Sequence, residues 1–210
     1  MAYATLSDLK NRLRIPAVDT NQDTWLNKLL DAATTIIEQL SGGRRFAVDT
    51  AETRLIDYGP EFVMGGRILR LPYEMHTITQ VVNGDGIEVT ADEYVTLPRL
   101  RSVSGNTVTA PTSTDLTARP FYEIQLKSQS SKVWTYTDDW EGAISVTGKF
   151  GYSETPPSPI ELATLDLATH FYKVPEAIGK VIVSPDGMLL TPSAVPDHVV
   201  GLVRPFTRWV

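Results

Sequence analysis

The spacing of hydrophobic positions changes period twice along the chain. Near the start, Leu6, Leu9 and Leu13 recur three and four residues apart, which brings side chains onto one face of a helix. Thr5 stands at the cap position with Asp8 three residues on, a weaker form of the capping box, and Pro16 is placed to stop the helix. After the polar turn Asp19–Asp23, the residues Leu26, Leu29, Leu30, Ala33, Ile36, Ile37 and Leu40 recur at helical spacing, and Gly42–Gly43 closes the run. An amphipathic helix is expected over 23–41, its apolar stripe in need of a partner helix or sheet.

From Arg45 to Tyr152 the pattern becomes short β-like runs separated by Gly, Pro, Asn and Asp. Thr53–Tyr58 and Arg67–Leu71 alternate apolar and polar residues. Ile78–Val82 and Ile87–Val89, joined by Asn83-Gly-Asp-Gly86, read as a hairpin, because Asn-Gly favours left-handed turn conformations. Phe121–Lys127, Lys132–Thr137 and Ala143–Phe150 read as three further strands. Residues 102–118, rich in Ser, Thr, Gly and Pro, read as an exposed loop that orders on binding.

The helical period returns after Trp140-Glu-Gly through Thr147-Gly-Lys-Phe-Gly-Tyr152, a strand that runs through glycines into a proline-started helix. That helix opens with Ser158 as cap, Pro159 at the first position and Glu161 at the third. Ile160, Ala163, Leu167, Ala168, Phe171 and Tyr172 form its stripe, and Pro175 ends it. Residues 180–190 read as a small hairpin or an extended arm. Pro196 starts a last short helix with Val199, Leu202 and Val203 inward, halted by Pro205. The fold class expected is α+β: a discontinuous helical core from the two ends of the chain (1–45 and 157–210) around a central antiparallel β-rich insert (46–156).

Composition removes several classes of chemistry. There is no cysteine among the 210 residues, which excludes disulfides, thiolate metal sites and cysteine nucleophiles and suits a reducing compartment. The formal charge is −6, unlike the basic balance of a protein that grips phosphate. No apolar run reaches the ~20 residues that span a bilayer, and the start of the sequence lacks the basic and apolar regions of a secretion signal. His76, His170 and His198 have no partners at metal-ligand spacing. Asp138, Asp139 and Glu141 sit where a glycosidase pair would be sought, but the plainer reading is a solvated turn. Gly65-Gly66 and Gly84-Asp-Gly86 lack the lysine and helix of a phosphate loop. Trp134, Tyr136, Trp140, Phe150 and Tyr152 read as core, with a sugar-stacking platform as the alternative. No catalytic residue, metal or cofactor is expected. The tail residues Arg204, Phe206, Arg208 and Trp209 are of the types that dominate binding hot spots.

The order of these pieces resembles the head–tail connector family, the adaptor or head-completion proteins of tailed bacteriophages. Four segments carry the resemblance: Leu6–Arg14 with Asp23–Ala33 and Gly42–Phe46; Ile68–Pro72 with Ile78–Val81 and the Asn83-Gly84 turn; Trp140–Tyr152 with Pro157 and the helix Ala163–Tyr172; and Val195–Leu202 with Arg204–Arg208. Between Val174 and Pro196 the chain carries Ser184-Pro-Asp-Gly187 and Thr191-Pro192, a segment the resemblance does not assign. The resemblance implies a structural virion protein of the neck, assembled in the host cytoplasm as a homo-oligomeric ring of twelve beneath the portal protein. Genomic DNA would pass through its lumen without sequence-specific binding, and a stopper or other tail-side protein would sit below. No enzyme activity and no membrane are implied. Leu26, Leu30, Ile37, Leu167, Phe171 and Tyr172 would build the core and ring wall, and the Arg204–Trp209 tail would dock on a neighbouring layer. A stopper or tail terminator, a carbohydrate-binding β module using Trp134 or Trp140, and a hydrolase using Asp138 and Glu141 are the competing readings.

Overall fold

The structure is a computed structural model that describes residues 2–99, 102–109, 119–173, 182–183, 189–190 and 195–207. The chain forms two compact units, Met1–Arg44 with Ser158–Val210 and Arg45–Pro157. The fold is α+β, with helices from both ends of the chain in the first unit and antiparallel sheets in the second.

The first unit contains α1 (Leu6–Leu13), α2 (Asp23–Leu40), α3 (Ser158–Lys173) and α4 (Asp197–Val203). The Thr5 hydroxyl accepts a hydrogen bond from the Asp8 amide at 3.1 Å, so one of the orphan donors of the α1 N-terminus is satisfied as the sequence indicates. The helix ends at Leu13, short of Pro16: the Arg14 amide bonds back to Asn11, and the left-handed Arg14 (φ 60°) turns the chain so that the Ile15 amide reaches the Lys10 carbonyl. The stripes of α2 and α3 meet, and Leu26, Leu29, Leu30, Ala33 and Ile37 are buried with Ile160, Ala163, Leu167 and Ala168. α1 and α4 pack on α3, and Asp166 of α3 takes Arg12 from α1 and lies 3.5 Å from His198 of α4. The last α-helix ends at Val203, just ahead of Pro205, as the sequence indicates. The chain continues as a 3-10 turn, Arg204–Phe206, because a proline in the first turn gives up only an N–H that has no intrahelical partner there. Of the two readings for 180–190, the described part is a hairpin pairing Ile182–Val183 with Leu189–Leu190.

Among its described residues the second unit has nine strands: β1 (Glu52–Ile56), β2 (Val63–Met64), β3 (Ile68–Met75), β4 (Thr77–Val82), β5 (Tyr94–Leu97), β6 (Ser102–Ser104), β7 (Thr107–Thr109), β8 (Phe121–Leu126) and β9 (Ile144–Lys149). They form two antiparallel sheets, ordered β1-β9-β4-β7-β6 and β2-β3-β8-β5. Ile78, Val81, Val108, Ile144 and Val146 of the first sheet share one core cluster with Leu69, Leu71, Met75, Tyr94, Ile124 and Leu126 of the second. β3 runs through Pro72, and its pairing with β8 is interrupted between Arg70 and Met75, where a missing N–H does least harm to the ladder.

Three expectations for this unit are corrected. Residues 102–109 are not an exposed loop: β6 and β7 form a hairpin that extends the sheet from β4, with Val108 buried. The remainder of that segment, 110–118, lies outside the described residues. In the 83–86 turn the positive φ belongs to Gly86. Gly84 is needed for another reason, since a Cβ there would stand 2.4 Å from the Thr135 carbonyl oxygen.

Lys132–Thr137 is not a ladder strand. It runs extended beside the 83–84 turn with one isolated bridge, Gly84 to Tyr136, and side chains replace the missing ladder. The Asn83 amide donates to the Val133 carbonyl at 2.9 Å and accepts from the Thr135 amide at 3.1 Å. The Arg67 guanidinium donates to the carbonyls of Lys127, Ser130 and Lys132 at 2.7–3.0 Å, and the Trp134 amide bonds to Gly66. These contacts satisfy backbone groups that burial of Trp134 takes out of water.

Candidate interaction surfaces

Three of the exposed apolar groups of the β unit, Leu55, Tyr136 and Trp140, gather at one end of β1. Leu55 and Ile56 are consecutive, and a strand sends consecutive side chains to opposite faces. Ile56 enters the core and Leu55 is left 66% exposed. The following turn brings the Tyr58 amide to the Trp140 carbonyl at 2.8 Å and its ring to within 5.0 Å of the Tyr136 ring. Asp57 accepts the Gly142 amide at 2.7 Å, which presses Gly142 against the Leu55 side chain. Tyr136 and Trp140 remain 43% and 48% exposed. Asp138, Asp139 and Glu141 are exposed on the same 136–142 turn, where the Glu141 amide bonds to Asp139. Arg54 of β1 is engaged by Glu52 and by the faces of Tyr73 and Phe150. The result is an aromatic and aliphatic patch with an acidic rim at the free edge of the larger sheet. The Leu55-Ile56 doublet was the signal in the sequence: one of two adjacent apolar strand residues has to face outward.

The helical unit contributes a second exposed feature. Lys10 is buried, yet its ammonium reaches the Asp19 carbonyl at 2.8 Å and the Asp23 carboxylate at 2.5 Å. Together with the Ile15 amide bonded to Lys10 and the Asp19 amide bonded to Pro16, this fixes the connection from α1 to α2. The connection holds Arg14, Pro16, Ala17 and Val18 in solvent, Val18 at 90% exposure.

The sequence-derived site residues divide by environment. Leu26, Leu30, Ile37 and Leu167 are fully enclosed in the helical unit, whereas Phe171 and Tyr172 are half-buried and the Tyr172 hydroxyl donates to Gln22 at 3.1 Å. Phe206 is not on a free tail. Its ring is 3% exposed, and its carbonyl accepts from Arg44 at 2.7 Å. Arg204 is exposed, and Arg208 and Trp209 lie outside the described residues.

Asp138 and Glu141 are both exposed to solvent on the 136–142 turn, in no enclosed site. Trp134 is enclosed, so it offers no stacking face; only Tyr136 and Trp140 of that aromatic set do. His76 is buried in the β unit, with Nε2 2.8 Å from the Val48 carbonyl and Nδ1 3.0 Å from the Thr77 hydroxyl. Burial pushes its pKa below the ordinary value, and Lys149 adds to that, against the Val48 hydrogen bond and Glu154. Among the described residues no cluster of three potential metal ligands is present, and no helix is long and apolar enough to cross a membrane.

Fold and surfaces together define a two-unit α+β protein with exposed apolar, aromatic and acidic groups on its β unit. No protein-family model matches the sequence, and no curated protein matches it. Solved structures do. The fold is similar to a chain from the neck of an empty GTA (gene transfer agent) particle solved with C6 symmetry, at 16% identity and a TM-score of 0.53, covering 99% of this chain and 91% of that one. It is also similar to a chain from the neck of a native GTA particle solved with C12 symmetry, at 14% identity and a TM-score of 0.51 over the same shares of the two chains. At such identities the likeness is one of fold, and it extends over nearly the whole length of each partner.

Proposed function

We propose that this chain is a structural protein of the neck of a phage-like particle, an adaptor that forms a ring beneath the portal and joins the DNA-filled head to the tail. The observation that carries this reading is the near-full-length likeness to chains from GTA necks solved with C6 and C12 symmetry. Such symmetry supports a closed ring of twelve copies here. In this reading the helical unit is the connector core, and the β unit of 46–156 is an insert within it. Leu26, Leu30, Ile37 and Leu167 hold the α2–α3 pair together, while the half-buried Phe171 and Tyr172 face the ring neighbour. Phe206 anchors the end of the chain, so that Arg204, Arg208 and Trp209 reach the adjacent layer. The acidic balance keeps the lumen from holding DNA in transit. The role is structural, without catalysis or cofactor.

Electron microscopy of the protein mixed with portal-bearing, DNA-filled, tailless heads tests this. A closed ring added directly under the portal is the expected result. Density further down the neck, or only when another neck protein is present, makes it a stopper or terminator instead. Added rings that persist after deletion of 204–210 would remove the docking role from the tail.

A further inference from the structure

We infer that the acidic aromatic patch of the β unit is the seat for the α1–α2 connection of a second copy of this chain. The inference rests on the ring reading and names a contact by which neighbours join. The two surfaces are complementary in charge and in shape of chemistry. The patch presents Leu55, Tyr136 and Trp140, with the half-buried Tyr58 against Tyr136, and Asp138, Asp139 and Glu141 around them. The connection presents Val18, almost wholly exposed, beside Pro16 and Ala17, with Arg14 in solvent at its base.

Each feature is costly to leave open. A valine as exposed as Val18 forfeits the burial term of roughly 1.5–3 kcal/mol that a covered one has. Trp140 and Tyr136 offer faces to which an arginine binds by cation–π attraction, and the carboxylates beside them attract the same guanidinium. Both surfaces are also held in place before contact: the connection by Lys10 on Asp19 and Asp23, the patch by Asp57 on Gly142 and Tyr58 on Trp140. Pre-ordering lowers the entropy cost of association. Because the two surfaces are different parts of the chain, the contact is heterologous. Repeated about a rotation that closes, it builds a ring, where a self-complementary patch would stop at a dimer.

The sequence has no cysteine, so a single introduced pair reports cleanly. One preparation carries Ala17→Cys and another Asp139→Cys, mixed and assembled on portal-bearing heads under mild oxidation, with Gln39→Cys in place of Ala17→Cys as the control. The expected result is a disulfide between the two different chains, and about tenfold less ring assembly with Arg14→Glu, recovered when the partner carries Asp139→Lys. Trp140→Ser, an exposed change, gives the same weakening. Rings that form normally without the 17–139 disulfide and without response to Arg14→Glu overturn the contact while the ring reading stands. Heads that acquire no ring overturn both. A Trp140 fluorescence shift with host polysaccharide, unaffected by Arg14→Glu, assigns the patch to a sugar and overturns the inference.

Discussion

At the scale of single residues, His76 is the group whose charge state the fold decides. The Val48 carbonyl can only accept, so Nε2 carries the proton and Nδ1 accepts from Thr77; the neutral ring is satisfied at both nitrogens. Desolvation then holds its folded pKa under the ordinary 6.5. Between that lowered value and 6.5 the unfolded chain binds a proton that the folded chain does not. Stability therefore rises with pH across the window and is lost as pH falls through it. Denaturant unfolding followed just above and below pH 6.5 should show a lower midpoint on the acidic side, and His76→Gln should flatten that step. The lowered carboxylates Glu93 and Glu154, held by Lys132 and Lys149, act in a different range. Their stabilisation is present above their ordinary 4.5 and lost as pH falls below it. A step that survives His76→Gln would move the origin elsewhere.

At the scale of elements, the instructive case is the segment Lys132–Thr137. Its alternating apolar residues resemble a strand, and it is extended, but Asn83 and Arg67 supply the bonds a neighbouring strand would give. Alternation does not report what the backbone pairs with, and here it does not fix the inward face either, since Trp134 is buried and Tyr136, two residues on, is exposed. Asn83→Ala should cost on the order of 2–4 kcal/mol, since a buried donor and acceptor are both orphaned, and amide exchange at Thr135 should accelerate. If that exchange is unchanged, the Asn83 side chain is not what protects the segment. The β6–β7 hairpin was hidden for a related reason. Its residues are mostly small and polar, with Val103 and its cross-strand partner Val108 as the apolar pair, too short a signal to distinguish a strand from a loop. Gly148 in the 140–152 stretch is legible as special, but the cause is tertiary: a Cβ there would lie 2.1 Å from the Thr77 carbonyl on the adjacent strand.

At the scale of the whole molecule, the ends of the β unit are zipped together. The Tyr152 amide bonds to Arg45, the Val48 amide to Ser153, and the Ser153 hydroxyl to Phe46, whose ring lies 5.5 Å from that of Tyr152. An insert closed at its own base should need little from the chain around it. Residues 45–157 expressed alone should unfold in one cooperative step with an antiparallel-sheet circular dichroism spectrum. A disordered fragment would show that the helical unit is required for its folding.

The sequence by itself determined the α+β class, the helix stripes of α2 and α3, the Thr5 cap and the strands β1, β4, β8 and β9. These follow from local rules, in which spacing and a few capping residues act over one or two turns. The tertiary structure alone decided that Phe206 is core, that Trp134 is closed to ligands, that Arg67 and Asn83 stand in for a strand, and that Leu55, Tyr58, Tyr136 and Trp140 share one surface. The reason is distance along the chain. Tyr58 and Tyr136 meet only because β1 pairs with β9 and the 136–142 turn folds back over its end, and no periodicity encodes which remote partner a residue will find.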